Sequence, residues 1–119
     1  MKAKKVVLLV ETQKTAIDRA FGAVKRVKKK YVGMEIISFP DFATLGRVIT
    51  GARLELLNVI RVEKPKSIQE LARLVHRDFK NVYQDVKLLG EFGLIDIIEV
   101  GPRGATSPIA KYSEIVLAA

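Results

Sequence analysis

Cysteine is absent from this chain, and His76 is its only histidine. Without a thiol there is no disulfide framework, no thiolate zinc site and no cysteine nucleophile. No carboxylates are placed around His76 at a spacing that suits a metal or a catalytic pair. No paired-carboxylate motif is visible, and no glycine loop of the GxxxxGK kind. An enzyme is therefore not expected, nor a cofactor or a metal. Long apolar runs are also missing. The longest near the start, VVLLV at Val6–Val10, is too short to span a bilayer and is not followed by the small-residue cleavage site of a signal peptide. A soluble, cytoplasmic protein is the expectation. Amides are few (Gln13, Asn58, Gln69, Asn81 and Gln84), which leans toward a thermophilic source.

Positive charge, in contrast, is plentiful. The 119 residues carry a formal charge of +8, and nearly half are apolar, enough for a folded core. Such a balance favours an anionic partner, nucleic acid first. Residues 1–43 hold +6 of the excess and residues 44–119 only +2. The cluster VKRVKKKY reads either as a phosphate-binding face or as a solvated helix face.

Periodicity divides the chain in two. KKVVLLVE has the continuous β-branched character of a short buried strand. In TAIDRAFGAVKRVKKKY, Ile17, Ala20, Phe21, Val24, Val27 and Tyr31 recur at helical intervals, with Thr15 and Asp18 spaced as a capping box. Gly33 ends that helix, and MEIISF reads as a strand. Two strands are marginal in water, so this strand-helix-strand unit, 1–37, must lean on the rest of the chain or on a second copy.

From 38 to 119 the signals change. Ser38-Phe-Pro-Asp41 opens a short helix through Ala43, Leu45 and Val48, with Pro40 in its first turn. Thr50 caps GARLELLNVIRVE, whose Leu54, Leu57 and Ile60 share a face widened by Leu56 and Val59; Pro65 ends it. In Ser67-Ile-Gln-Glu70 the hydroxyl suits the Glu70 N–H and the carboxylate suits the Ser67 N–H. That helix buries Ile68, Leu71, Ala72 and Val75, and closes at His76-Arg77. Asp78 then caps a helix over about 78–92. It buries Val82, Val86 and Leu89 with Phe79 and Phe92 at its ends, and Gly93 takes the left-handed cap. LIDIIEV, GPRGATSP and IAKYSEIVL read as a hairpin over about 94–117.

The connection at 75–78 is too short for anything but a steep crossing of the two helices, and small Ala72 allows a close approach. The second helix then turns Lys80, Asn81, Tyr83, Gln84 and Lys87 away from the core. Asn and Gln pair bidentately with adenine, and Lys donates to guanine acceptors. A recognition helix presents its N-terminal residues to base edges in this way. Lys80, Asn81, Tyr83 and Gln84 are thus the candidate base contacts. Arg73, Arg77 and Lys87 suit phosphate, as does Arg103 at the tip of GPRG, which also suits a narrow minor groove. Asp85, a carboxylate on a helix meant for phosphate, calls for an intramolecular base such as Arg77.

The run SIQELARLVHRDFKNVYQDVKLLGEFGLI, preceded by ITGARLELL and followed by GPRG, resembles the winged helix-turn-helix regulators of prokaryotes. The nearest resemblance is to small bacterial and archaeal regulators related to the MarR and ArsR groups, and it covers about 38–119. The corresponding arginine-bearing helix often begins Thr-Pro in that group; here Gly51-Ala52 follows Thr50. The resemblance implies an α+β fold, a winged helix-turn-helix domain with a small N-terminal extension. It implies a sequence-specific regulator of transcription, a repressor in its commonest form, bound to double-stranded DNA as a homodimer. The second helix would read the groove and the hairpin would serve as wing. The alternative is a winged-helix module for a protein partner, including an antitoxin-type regulator that holds a toxin-like protein.

Overall fold

A computed structural model describes residues 4–20, 31, 33–101 and 105–118. The chain is α+β and divides into two compact units, one of residues 1–47 with 112–119, the other of residues 48–111. Among the described residues no helix is long and apolar enough to cross a membrane.

The first unit is built on a parallel sheet of three strands in the order β2-β1-β5, from β1 (Lys5–Val10), β2 (Glu35–Phe39) and β5 (Glu114–Ala118). Val7 of β1 sits opposite Ile36 on one side and Val116 on the other. This explains the unbroken apolar run of β1. A central parallel strand is covered on both faces, and Val6, Val7 and Leu8 are wholly buried. Parallel pairing of β1 with β2 demands a crossover, in which α1 (Gln13–Ala20) lies. Its cap is Thr12 rather than the expected Thr15: the Thr12 Oγ1 accepts from the Thr15 N–H at 3.2 Å. Ile17, expected in the buried stripe, is about half exposed. The remainder of that expected helix, with most of the basic cluster, lies outside the described residues.

The third strand comes from the far end of the chain. The hairpin's second arm is expected to run to about residue 117, yet Glu114–Ala118 pair with β1 instead. The need for support inferred from two marginal strands is met by the chain's own far end. Tyr112 and Ser113 fasten it: the Tyr112 hydroxyl donates to the Glu35 carboxylate, and the Ser113 N–H donates to the Lys4 carbonyl at 2.8 Å. In α2 (Phe42–Val48) the cap is Asp41, whose Oδ1 accepts from the Thr44 N–H at 2.7 Å. Pro40 precedes the helix instead of entering its first turn, because Ser38 and Phe39 belong to β2.

The second unit runs α3 (Gly51–Glu63), α4 (Ile68–Leu74), α5 (Phe79–Glu91), then the antiparallel hairpin β3 (Ile95–Val100) and β4 (Ala105–Ala110). Thr50 caps α3 as expected, accepting from the Arg53 N–H. The buried line of α3 is Leu56 and Ile60, while Leu54 is largely exposed, so the apolar face is rotated from the one expected. Ser67 caps α4 at 3.0 Å, but the Glu70 carboxylate reaches the Lys66 N–H, not that of Ser67. Asp78 holds the cap position of α5, yet its side chain makes no capping hydrogen bond. Val82, Val86 and Leu89 are fully buried, and with Leu71, Leu56, Ile60 and Leu94 they form the core.

Both ends of the α4–α5 pair close in the same way. The His76 N–H donates to the Arg73 carbonyl and the Arg77 N–H to the Ala72 carbonyl. The Gly93 N–H likewise donates to Gly90 and the Leu94 N–H to Leu89. Each set is a Schellman closure around a left-handed residue, Gly93 at φ 80° and His76 at φ 56°. Gly90 has a packing role: a Cβ there would lie 3.0 Å from the Ile97 Cδ1, so β3 crosses close to α5.

A left-handed non-glycine residue costs about 1–2 kcal/mol, and a β-branched one more. His76→Gly is expected to match or exceed the parent in urea unfolding, whereas His76→Val loses at least ~1 kcal/mol. Equal stabilities for the two variants would contradict the left-handed turn. In the first unit, the hydrogen bonds from the Thr44 backbone and hydroxyl hold the Asp41 carboxyl below its ordinary range. A carboxylate so depressed stabilises the fold above its unfolded pKa and loses that contribution as pH falls through the folded value. An NMR titration should place the Asp41 midpoint below that of an unstructured aspartate; a midpoint at or above it would refute the cap.

Candidate functional site

The outer face of α5 is defined by what the inner face must do. Val82, Val86 and Leu89 are wholly buried, so the opposite side faces water. At roughly 100° per residue, Lys80 and Gln84 point almost directly away from that line. Tyr83 and Asn81 flank them on opposite sides, about 160° apart. All four side chains are exposed, and Lys87 is exposed one turn further along. The four expected base contacts therefore share one outward arc centred on Lys80 and Gln84. Arg73 is exposed on α4. Arg103 lies outside the described residues; the hairpin strands that lead to its loop end at Val100 and begin again at Ala105.

Arg77 is placed differently from the other candidates. Its Nη2 donates to Asp85 Oδ2 at 2.8 Å, and its Nη1 is buried without a partner among the described residues. The guanidinium is thus directed into the protein, and Asp85 has the intramolecular base that its position called for. A second arginine, which sequence reasoning missed, completes the arrangement. Arg53 Nε donates to Asp85 Oδ1 at 3.1 Å, and Arg53 Nη1 donates to the Val48 carbonyl at 3.1 Å. A signal for Arg53 was present. It stands in register with Leu56, Leu57 and Ile60, at the i, i+3, i+4, i+7 spacing of a buried face, where a lone charge demands a partner.

The consequence is electrostatic. Asp85 is the only acid in the middle of α5, and both of its oxygens are engaged by inward-facing guanidiniums. The outer arc over residues 80–87 is left with two lysines, two amides and a phenol. Acids remain only at the ends, at Asp78 and Glu91. A face of that kind offers donors and acceptors to a polar anionic surface without a competing carboxylate.

Phe79 departs from expectation. Assigned to the end of the buried line, it is 50% exposed and stacked on Tyr83, itself 43% exposed. The ring centroids are 6.0 Å apart and the planes 28° from parallel. An i, i+4 pair brings the two rings together on the helix surface.

Residues 48–117 match the model of the HVO_A0114 family, more than half of the chain, and the chain belongs to that family. The match starts where the second unit starts, and it runs through the hairpin into β5. No curated relative and no solved structure matches the chain.

Removing Asp85 leaves two partly buried guanidiniums facing each other. A fully buried pair loses ~3–5 kcal/mol when one partner goes. With side-chain exposures of 14% for Asp85, 20% for Arg53 and 31% for Arg77, the cost of Asp85→Ala should be smaller, about 2–3 kcal/mol by chemical denaturation. Adding Arg53→Met and Arg77→Met to Asp85→Ala should recover part of the loss. A cost below ~0.5 kcal/mol for Asp85→Ala would mean a surface-type pair of no structural weight.

Proposed function

We propose that the second unit is a winged helix-turn-helix domain that binds double-stranded DNA in a sequence-specific manner. The chain would regulate transcription as a homodimer, most simply by covering a promoter. The observation that carries this reading is the outer arc of α5. A helix anchored by three buried residues, and joined to α4 through a four-residue turn, exposes Lys80, Asn81, Tyr83 and Gln84 near its N-terminus, with its central acid turned inward. This is the set a helix needs to reach base edges in a major groove. The order α3-α4-α5-β3-β4 supports the same reading, because a hairpin following the second helix is where a wing belongs. Lys87 and Arg73 supply phosphate contacts in this scheme, and Arg103, between β3 and β4 in the sequence, is assigned one as well. Arg77 acts instead by holding Asp85.

The deciding experiment is selection of bound sequences from a random DNA pool by the purified chain at about 150 mM salt, where non-specific affinity is only ~10⁻⁴–10⁻⁶ M. An enriched inverted repeat is the expected result, since two-fold symmetry in the protein is mirrored in the site. Enrichment of no sequence would overturn the reading and favour a protein partner for this face. On the selected site, Asn81→Ala and Gln84→Ala should each cost ~1–3 kcal/mol while barely changing non-specific binding. Arg103→Ala should weaken binding to all sequences and reduce the slope of log affinity against log salt by about 1.

A further inference from the structure

The stacked pair Phe79–Tyr83 is an anomaly on an otherwise polar arc. Two aromatic rings lie about half in water at the start of α5, whereas Val82, Val86 and Leu89 of the same helix are fully buried. Resting on the DNA-binding reading above, we infer that this pair recognises thymine through its 5-methyl group.

The major groove carries one apolar feature among its donors and acceptors, the thymine methyl, and phenylalanine is among the side chains that contact it. Phe79 is the first residue of α5 and Tyr83 lies one turn on, in the N-terminal half from which a recognition helix reads bases. The two positions are separated by roughly 6 Å along the helix axis, close to two base-pair steps at ~3.4 Å each. Two thymines with one base pair between them, or a single thymine with its flanking steps, fit the length of the stack.

Stacking also matters for selectivity. With the planes 28° from parallel at 6.0 Å, each ring limits the rotation of the other, so the apolar edge is already in position before contact. Lys80 and Gln84 are the next side chains around the helix. They satisfy the polar edges of the same or neighbouring pairs while the rings exclude water from the methyl. An unpartnered polar edge of guanine or cytosine against the rings is penalised, so the site is biased toward A·T at these positions.

The test uses the full chain and its selected site, made with thymine or with deoxyuridine at each position, so that only the methyl differs. Each contacted methyl should contribute about fourfold in affinity, the value of one buried carbon. The parent protein is expected to lose about fourfold at one or two positions under the N-terminal half of α5. Phe79→Ala should erase that difference, and Phe79→Leu should keep part of it. The parent arm needs no variant, so the outcome does not hinge on whether Phe79→Ala folds. A selected site that binds equally with and without its methyls would overturn the inference while leaving DNA binding intact. So would a Phe79→Ala protein that retains the full methyl effect. Failure to select any sequence would overturn both readings together.

Discussion

A single carboxylate, Asp85, organises the helical part of this protein. It accepts from Arg53 at the start of α3 and from Arg77 in the turn between α4 and α5, while its own backbone belongs to α5. All three helices of the second unit are therefore referred to one charge that lies largely out of water. Apolar packing alone is weakly directional, and helices that share a core slide against one another at little cost. A charge held by two guanidiniums tolerates much less displacement, since leaving such a partly buried charge unpaired costs about 2–3 kcal/mol. Arg53 adds a bond to the Val48 carbonyl, which carries the constraint to the segment just before α3.

The same interaction decides the character of the outer surface. An acid in the middle of a helix meant to approach phosphates would oppose its function; turned inward, it holds the helix in place. The arc left outside holds Lys80, Asn81, Tyr83 and Gln84. The two Schellman closures complete the geometry. The left-handed His76 makes the α4–α5 turn tight, and the left-handed Gly93 sends the chain from α5 directly into β3. Gly90 lets Ile97 approach α5 closely enough to set where the hairpin begins its course.

The first unit rests on a different constraint. Its sheet is parallel, and no tight turn joins parallel strands. β1 obtains β2 through the crossover that contains α1, and β5 from the end of the chain, after the whole second unit has been traversed. Closing so long a loop is paid for by the burial of Val6, Val7 and Leu8 and by the hydrogen bonds of Tyr112 and Ser113 to Glu35 and Lys4.

Much of this was legible in the sequence because it depends on neighbours a few residues apart. The helix of 51–63 with its Thr50 cap, the Ser67 cap, the core line Val82, Val86 and Leu89 and the Gly93 closure are all local matters of spacing and backbone freedom. The partnership of Asp85 with Arg77, eight residues earlier, followed from the cost of leaving a carboxylate unpaired. Tertiary structure alone decided three things. Arg53 joined Asp85 across 32 residues, and no local pattern specifies which base a buried acid will find. Phe79 stayed in water because the faces presented by the neighbouring elements determine how much of a helix end is covered, and helical spacing does not. The end of the expected hairpin arm, residues 114–117, left it because IVL serves equally well as a hairpin arm or as a parallel strand. The choice lies with the partner that offers an open edge, and β1 offered it.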